Sequence, residues 1–259
     1  MKNILEEIII WKKKEVAQRK KQVSVAELEK GRFFNRPALS MRKSILDPKK
    51  TGIIAEYKRK SPSRGIINHT DSVEAVTMAY AAYGASGISV LTDYKFFGGS
   101  LDDLISARDN GVPLLRKDFM IDEYQVVEAK AYGADVILLI AACLSTQTVK
   151  ELAKAAKALG LEVLLEIHGE EELGHICAEI DMVGVNNRNL KNFEVNLEHS
   201  VRLAQKIDDR FVKVAESGIN DVNHIKYLKQ FGFKGFLIGE YFMKQESPML
   251  AFKNFSYEL

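Results

Sequence analysis

The sequence Ile53-Ile54-Ala55-Glu56-Tyr57-Lys58 is an apolar run that ends in charged side chains, and runs of this kind recur along the chain. Packing alone does not require such endings. In a closed parallel barrel the carboxyl ends of all strands converge on one mouth, and barrels of this kind carry out their chemistry there. The pattern therefore predicts both a fold and the place of a site. Similar runs occupy residues 113–117, 163–166, 182–188 and 212–216.

Strand and helix patterns alternate from residue 52 onward. Eight apolar segments, each followed by a helical pattern and spaced by about 20–35 residues, are typical of a (β/α)8 TIM barrel, an α/β fold. Nearly continuous apolar strands favour parallel pairing, and the alternative of a doubly wound open sheet lacks a Gly-x-Gly-x-x-Gly motif after the first strand. The predicted strands are 53–57, 88–92, 113–116, 136–140, 162–166, 182–185, 211–215 and 235–238. The clearest predicted helices are 73–83, 126–132, 149–159, 197–207 and 222–231.

Residues 1–50 are predicted to form an N-terminal helical extension in a single domain whose barrel spans 51–259. One face of residues 1–30 is apolar and the other is rich in lysine, which predicts a helix with a solvated basic face. Ser24 and Glu27 have capping-box spacing before a further short helix, and another short helix at 40–45 should end at Asp47-Pro48. The apolar face comprises Ile4, Leu5, Ile8, Ile9 and Trp11, and the basic face Lys12–Lys14, Lys20 and Lys21.

The composition is that of an ordinary globular protein of 259 residues, 46% hydrophobic and 28% charged. A net charge of +2 does not support general affinity for nucleic acid or for an anionic membrane. Cys143 and Cys177 are predicted to be reduced packing residues. Since no signal peptide is evident and the apolar stretch 136–144 is too short to span a bilayer, we expect a cytoplasmic protein.

Glu56 and Lys58 share one face of the first predicted strand, because side chains alternate along a strand. If that face points into the barrel mouth, the strand holds a carboxylate and an ammonium about 7 Å apart. A surface ion pair is the alternative. The wholly apolar residues before Glu56 and the polar loop 61–65 favour a buried, functional pair.

Seven segments together resemble the indole-3-glycerol phosphate synthase family of the tryptophan pathway. Each segment alone is a weak signal, but they run in order from the first strand to the last. The resemblance implies a small-molecule substrate with a carboxylated aromatic ring, an open-chain sugar ketone and a terminal phosphate, namely 1-(2-carboxyphenylamino)-1-deoxy-D-ribulose 5-phosphate. The reaction is ring closure, decarboxylation and dehydration. The matching segments are 54–65, 91–93 with 96–100, 113–119, 164–166, 185–190, 215–219 and 237–240.

The resemblance also implies catalytic roles for residues at the strand ends. Lys117 corresponds to the general acid that polarises the ketone, and Glu166 and Glu56 correspond to catalytic carboxylates. We favour Lys58 with Glu56 in the dehydration and Glu166 as base or orienting group, although the sequence leaves this division open. Asn186 is expected to hold the sugar hydroxyls.

Substrate binding is expected to divide among three parts of the mouth. Arg188 would bind the anthranilate carboxylate, because a guanidinium fork suits a carboxylate. The other groups are an apolar slot of Phe97, Phe119 and Leu190, and a phosphate site of Lys58, Ser61, Ser217, Gly218, Gly239 and Glu240. Glu216 is expected to orient Lys58 or a sugar hydroxyl, and the Glu240 side chain to turn away from the phosphate. Asn187 and Asn189 are interpreted as turn residues.

Two other readings stay open at this point. One is another sugar-phosphate barrel, either an isomerase of the same pathway or a Schiff-base aldolase using Lys117 or Lys213. The other is a non-catalytic phosphate-binding barrel within an assembly. An isomerase should carry a cysteine where this chain has Glu56. The resemblance favours a monomer, with a weak homo-oligomer as the alternative, and it implies no metal or organic cofactor. The five histidines are interpreted as surface or packing residues, with His168 the one that could approach the expected mouth.

Overall fold

Eight parallel strands close into a barrel in the computed structural model, which describes residues 4–188 and 195–259. The closed sheet confirms the predicted TIM barrel and excludes the open doubly wound sheet. The strands are β1 (Ile53–Tyr57), β2 (Lys60–Ser61), β3 (Gly65–Ile66), β4 (Gly87–Leu91), β5 (Leu114–Lys117), β6 (Val136–Ile140), β7 (Glu162–Ile167), β8 (Met182–Asn186), β9 (Val212–Glu216) and β10 (Phe233–Ile238). The barrel order is β1-β10-β9-β8-β7-β6-β5-β4, and β2 pairs with β3 in a separate hairpin.

Helices cover the outside of the barrel and precede it in the extension. Each predicted barrel strand lies within two residues of the observed one at both ends, and the five named helices are found with ends shifted by up to three residues. The helices are α1 (Ile4–Gln22), α2 (Val25–Leu28), α3 (Met41–Leu46), α4 (Val73–Ala82), α5 (Tyr94–Phe97), α6 (Leu101–Ser106), α7 (Glu123–Ala131), α8 (Thr146–Ala158), α9 (Leu197–Ala204), α10 (Val222–Lys229), α11 (Glu240–Met243) and α12 (Pro248–Tyr257).

The predicted capping box divides the helical extension. The Ser24 hydroxyl accepts a hydrogen bond from the Glu27 backbone N–H, and the Glu27 carboxylate accepts one from the Ser24 backbone N–H. These reciprocal bonds begin α2, so the stretch 1–30 is two helices rather than one. The short hairpin of β2 and β3 was not predicted, because its two strands lie at the two ends of the segment 61–65, which the sequence analysis treated as a polar loop.

The barrel interior is built in layers from alternate strands. Interior residues of β1, β5, β7 and β9 form one fully buried apolar layer, and the residues two positions later form a charged layer at the mouth. Side chains two positions apart on a strand point to the same side of the sheet, so both layers face the barrel interior. The apolar layer is Ile54, Leu115, Leu164 and Val214, and the charged layer is Glu56, Lys117, Glu166 and Glu216.

The extension closes the opposite end of the barrel. Met41 and Ile45 of α3 are buried in the same apolar cluster as the interior layer. Gly87 at the start of β4 makes room for Met41, since a Cβ there would collide with the Met41 sulfur. Ser40, the N-cap of α3, contacts the carboxylate of Glu162 at the start of β7. Residues of the N-terminal extension therefore fill the amino end of the barrel and bind to it.

Helix α1 is anchored to the barrel by a buried cation. Lys12 is 1% exposed, and its Nζ lies 2.8 Å from both Asp93 Oδ2 and Asp118 Oδ1 and 3.0 Å from Glu15 Oε2. Burial by itself would lower the pKa of Lys12, but Asp118, Asp93 and Glu15 outweigh it and hold that pKa above its ordinary value. The prediction of a solvated face is therefore wrong at Lys12. It holds for the other lysines of that face, which are exposed.

No helix within residues 4–188 and 195–259 is long and apolar enough to cross a membrane. Cys143 and Cys177 are both free and partly buried, as predicted for packing residues.

Replacement of Lys12 by Met tests the anchor of α1. Removal of the ammonium leaves Asp93 and Asp118 buried without compensation, and we expect the free energy of unfolding to fall by about 3–5 kcal/mol. Urea unfolding measures it. Lys13→Met is the control, because Lys13 is exposed on the next position of the helix, and we expect it to change stability by less than about 0.5 kcal/mol. Equal stability of the two variants would contradict the anchor.

Candidate active site

A cavity of about 270 Å³ opens at the carboxyl ends of the strands. Every predicted site residue that the structure describes lines this cavity. Leu190, predicted for the aromatic slot, lies outside the described residues. The predicted residues that line the cavity are Glu56, Lys58, Ser61, Phe97, Lys117, Phe119, Glu166, Asn186, Arg188, Glu216, Ser217, Gly218, Gly239 and Glu240.

Lys117 is the centre of the charged layer. Its Nζ donates to Glu216 Oε2 at 2.6 Å and to Glu166 Oε2 at 3.3 Å. Burial by itself would lower the pKa of Lys117, but the charges of Glu216, Glu166 and Glu56 outweigh it and hold that pKa above its ordinary value. Lys117 is therefore an ammonium at neutral pH, with a proton to share with an acceptor in the cavity.

The two carboxylates beside Lys117 have opposite proton affinities. Burial opposes ionisation of Glu166, but the charge of Lys117 and the contacts with His168 and Asn186 outweigh it and hold the pKa of Glu166 well below its ordinary range. Burial dominates at Glu216 and, with repulsion from Glu166, raises its pKa to about 7 despite Lys117. Within the described part of the chain, Glu216 Oε1 is buried without a hydrogen-bond partner. Two carboxyl groups whose pKa values are shifted in opposite directions are suited to different proton-transfer roles.

The structure gives Glu216 a different charged partner from the one expected. Of the two predicted roles, orienting Lys58 or a sugar hydroxyl, the first is not seen, because the carboxylate contacts Lys117, and the second stays a prediction. Gly184 on the neighbouring strand β8 makes this possible, because a Cβ at that position would collide with Glu216 Oε1. A glycine in an otherwise apolar strand is the sequence signal for such a close approach.

Glu56 and Lys58 form the predicted ion pair at the end of β1. Lys58 Nζ donates to Glu56 Oε1 at 2.7 Å, and the Glu56 side chain is 4% exposed, so the pair is buried rather than a surface pair. Gly239 lies against it, since a Cβ there would be 2.8 Å from the Cβ of Glu56. A glycine at position 239 therefore leaves the room that the Glu56 side chain occupies.

Glu240 bridges two arginines at the rim. Its Oε2 lies 3.2 Å from Arg188 Nη2, and its Oε1 lies 3.2 Å from Arg64 Nε. The expectation that the Glu240 side chain turns away from a bound phosphate stays a prediction, and its carboxylate is held at the rim by Arg188 and Arg64. The two guanidiniums compensate its charge, which removes the electrostatic objection to an anion nearby. Arg188 is also fixed through its backbone N–H, which donates to Asn186 Oδ1 at 3.0 Å.

The loop after β9 carries local backbone strain. Ser217 has a φ of 68° and Gly218 a φ of 73°, and a positive φ is unusual for serine. Asn187 Nδ2 donates to the Ser217 carbonyl at 2.7 Å and holds this conformation. Asn187 is 2% exposed, so it is a buried support rather than a simple turn residue. Strain of this kind collects at ligand sites, and Gly218 leaves backbone open to the cavity.

The apolar part of the cavity comes from two sources. Phe97 and Phe119 have ring centroids 6.1 Å apart, as expected for the predicted aromatic slot. Ile4, Leu5 and Ile8 of α1 line the cavity from the other side, and the sequence interpretation missed this contribution. The apolar face of the first helix was visible in the sequence, but nothing there showed that it faces the mouth.

His168, the histidine that the sequence analysis placed nearest the expected mouth, contacts a carboxylate of the charged layer. Its Nε2 lies 3.1 Å from Glu166 Oε1, so the interpretation of every histidine as a surface or packing residue is wrong at this position. Among residues 4–188 and 195–259 no group of three or more His, Cys, Asp or Glu side chains is arranged to hold a metal ion.

The fold and the site define an enzyme class: a (β/α)8 barrel whose mouth joins an acidic and basic cluster to an apolar slot. The family model for indole-3-glycerol phosphate synthase matches residues 5–255. The chain belongs to the indole-3-glycerol phosphate synthase family. Its activity is accordingly that of a carboxy-lyase of tryptophan biosynthesis.

Individual relatives agree with the family match. The chain is 50% identical over 256 residues to indole-3-glycerol phosphate synthase from Bacteroides thetaiotaomicron, covering 98% of both chains. It is 44% identical to the enzyme of the same name from Prochlorococcus marinus strain MIT 9515, covering 97% of this chain and 88% of that protein. Among solved structures, tryptophan synthase subunit alpha from Legionella pneumophila has a TM-score of 0.62 at 13% identity, covering 85% of this chain and 97% of that one, which shows the shared fold.

The raised pKa of Glu216 predicts a pH-dependent stability. The folded carboxyl keeps its proton up to a pKa of about 7, whereas the unfolded one loses it near a pKa of 4.5. Between these values the folded state binds more protons, so the free energy of unfolding should fall as pH rises, by at most about 1.4 kcal/mol per pH unit. Glu166 is already ionised in the folded state throughout this window, and because its unfolded form titrates near a pKa of 4.5 it opposes the slope only at the acidic edge.

Glu216→Gln should remove this contribution, and urea unfolding of both proteins from pH 4.5 to 7.5 measures it. Glu29→Gln, at an exposed position, is the control and should keep the parental slope. A Glu216→Gln slope equal to that of the parent would contradict the raised pKa.

Proposed function

We propose that the cavity at the barrel mouth converts 1-(2-carboxyphenylamino)-1-deoxy-D-ribulose 5-phosphate to indole-3-glycerol phosphate, with Lys117, Glu166, Glu216, Glu56 and Lys58 as the reacting groups. The observation that carries the proposal is the position of the Lys117 ammonium between Glu216 and Glu166, 2.6 Å and 3.3 Å away, inside the cavity. A cation held there by two carboxylates is fixed in place before the substrate arrives, as electrostatic catalysis requires.

Ring closure is the first step. The aromatic carbon that bears the carboxylate attacks the ketone carbon, and Lys117 donates a proton to the ketone oxygen as it becomes a hydroxyl. Loss of carbon dioxide then returns the bonding electrons to the ring. The buried ammonium supports this role, since it is charged at neutral pH and stabilises negative charge as it develops.

Dehydration is the second step, and it needs a base for a carbon-bound proton and an acid for the departing hydroxyl. Lys58 in its ion pair with Glu56 is our choice for the acid side. Glu166, whose lowered pKa keeps it ionised, is suited to act as the base or to orient the intermediate. Glu216, with a pKa of about 7, is able to return the proton that Lys117 gave up.

Substrate binding follows the three parts of the cavity. Arg188 binds the ring carboxylate, Phe97 and Phe119 hold the ring, and Asn186 contacts the sugar hydroxyls. The strained segment at Ser217 and Gly218, the start of α11 at Gly239 and Glu240, and the side chains of Lys58 and Ser61 bind the phosphate. Arg188 must then exchange its contact with Glu240 for one with the substrate carboxylate, which has the same charge and shape.

The Schiff-base aldolase alternative is not favoured. Imine formation needs a neutral amine, and the raised pKa of Lys117 keeps it protonated. Lys213 contacts Asp209 at 2.7 Å and is not among the residues that line the cavity. Borohydride reduction in the presence of substrate should therefore leave both lysines unmodified, as mass spectrometry would show.

We also propose that extension and barrel form a single domain and that the chain works as a monomer in the cytoplasm. Two free cysteines fit a reducing compartment, and the burial of Met41 and Lys12 against the barrel supports a single domain. Light scattering should give the mass of one chain, and unfolding should show one cooperative transition for both parts.

Lys117→Ala tests the proposed acid. We expect indole-3-glycerol phosphate formation to be abolished while substrate affinity changes by less than about tenfold, or about 1.4 kcal/mol. Indole fluorescence measures turnover, and equilibrium titration measures affinity. Lys226→Ala, at an exposed position on α10, is the control and should keep parental turnover. Parental turnover in Lys117→Ala would refute the assigned role.

Arg188→Lys tests recognition of the ring carboxylate. A lysine keeps the charge but loses the two-pronged contact, so we expect KM to rise by about tenfold or more with a smaller change in kcat. Arg64→Lys is the matched control, because Arg64 contacts the same Glu240 without a proposed contact to the substrate. An unchanged KM in Arg188→Lys would count against the assignment.

A further inference from the structure

His168 lies just beyond β7, between two carboxylates. Its Nε2 is 3.1 Å from Glu166 Oε1 and its Nδ1 is 3.4 Å from Glu172 Oε2, and the side chain is 13% exposed. Within the described residues neither ring nitrogen makes a hydrogen bond of good geometry, so both contacts are ion pairs. An imidazole with a carboxylate at each nitrogen is the arrangement that suits the doubly protonated, cationic form.

We propose that His168 is a positioning residue that holds the Glu166 carboxylate in its working orientation. This inference rests on the proposed catalytic role of Glu166. Glu166 Oε1 contacts His168 and accepts a hydrogen bond from Asn186 Nδ2 at 3.0 Å, whereas Oε2 faces Lys117. His168 therefore fixes one oxygen of the carboxylate and leaves the other directed at the proposed acid.

The same spacing occurs at the other catalytic carboxylate of the mouth. Lys58 follows Glu56 by two residues and contacts it at 2.7 Å, just as His168 follows Glu166 by two residues. Side chains two positions apart in extended backbone share a face, so each strand supplies a carboxylate and the residue just beyond the strand supplies the cation that holds it. His168 thus corresponds in place to a residue already proposed for the site.

The surroundings hold the imidazole ring itself in place. The His168 backbone N–H donates to Glu172 Oε2 at 2.6 Å, so Glu172 contacts both the backbone and the ring. His199 Nε2 lies 2.7 Å from the His168 carbonyl oxygen and fixes the same segment from α9. Because its segment is fixed, the imidazole ring is able to keep the Glu166 carboxylate in one orientation.

The charges around His168 favour its protonated form. Burial by itself would lower its pKa, but Glu166 and Glu172 outweigh burial and raise the pKa of His168 to about 10. Lys117 lies beyond Glu166, and the nearby Cys143 thiol is neutral because burial, with these carboxylates, raises its pKa to about 12. His199 reaches the backbone of His168 and not its ring.

A purely structural role is the alternative, in which His168 only ties β7 to the short helical turn at Glu170–His175. That role would affect the free energy of unfolding but not the pH dependence of turnover. The positioning role changes turnover through Glu166, so the two readings differ in a measurable way.

The first experiment compares His168→Gln with the parent. We expect kcat to fall by about tenfold to a hundredfold with KM changed by less than about threefold, as for loss of a charge-assisted contact to a catalytic carboxylate. Without the imidazolium the pKa of Glu166 rises, so the acidic limb of the kcat profile should move to higher pH. His199→Gln is the control: it loosens the same segment and should leave that limb in place. Parental kcat in His168→Gln, or an equal shift in His199→Gln, would overturn the proposal.

A double-variant cycle separates this inference from the proposed role of Glu166. If His168 acts through Glu166, the variant with both Glu166→Gln and His168→Gln should be no slower than Glu166→Gln alone, within about twofold. Additive losses would overturn the positioning role. Full turnover in Glu166→Gln would overturn the catalytic role of Glu166 itself, whereas loss in Glu166→Gln with none in His168→Gln would overturn only the present inference.

The protonation state of His168 is measurable in the parent protein, without any variant that affects folding. In ¹⁵N spectra of the histidine rings, the His168 signals should be those of an imidazolium at pH 7.5. Glu172→Gln, which keeps His168, should lower its pKa, because one of the two carboxylates is neutralised. A neutral His168 ring in the parent at pH 7.5 would overturn the proposal.

Discussion

The ammonium of Lys117, held between Glu166 and Glu216, is the interaction on which the rest of the site depends. The four charged groups at this level come from β1, β5, β7 and β9, which are alternate strands of the barrel. Alternate strands contribute side chains to one layer of a barrel, so the geometry of the closed sheet brings these groups together. The layer below, which begins two residues earlier on each strand, is wholly apolar and keeps water from reaching the charges from beneath.

An excess of carboxylates around one ammonium gives its members different properties. Three glutamates share the layer with Lys117, and all three are nearly buried. Glu166 has additional partners in His168 and Asn186 and stays ionised, whereas at Glu216 burial outweighs the charge of Lys117 and the carboxyl keeps a proton into the neutral range. The same residue type thus serves two purposes because of the contacts around it. Gly184 is needed for this arrangement, since a larger residue would displace the Glu216 carboxylate.

Alternation along single strands explains how much of this was predictable from the sequence. Glu56, Lys117 and Glu166 end apolar runs, so their side of the sheet follows from local patterning, and the closed barrel then sets their meeting point. Contacts that depend on tertiary packing were not visible. The contact of Glu216 on β9 with Lys117 on β5 joins two strands that are not neighbours in the sheet, and the burial of Lys12 depends on how α1 lies against Asp93 and Asp118. His168 was misread because its second carboxylate, Glu172, comes from the turn that follows β7.

The N-terminal extension completes the site from both ends of the barrel. Met41 fills the amino end beneath the apolar layer, while Ile4 and Ile8 cover the cavity at the mouth. Lys12 connects α1 to the charged layer, because it binds Asp118, the residue directly after Lys117. Arg116, directly before Lys117, is also buried and pairs with Asp118 and Glu128. The backbone that carries the proposed acid is therefore clamped on both sides by buried ion pairs, one of which comes from the extension. A catalytic group must keep its position to within a fraction of an ångström. Loosening α1 would therefore displace Lys117, even though α1 contributes no group to the proposed proton transfers.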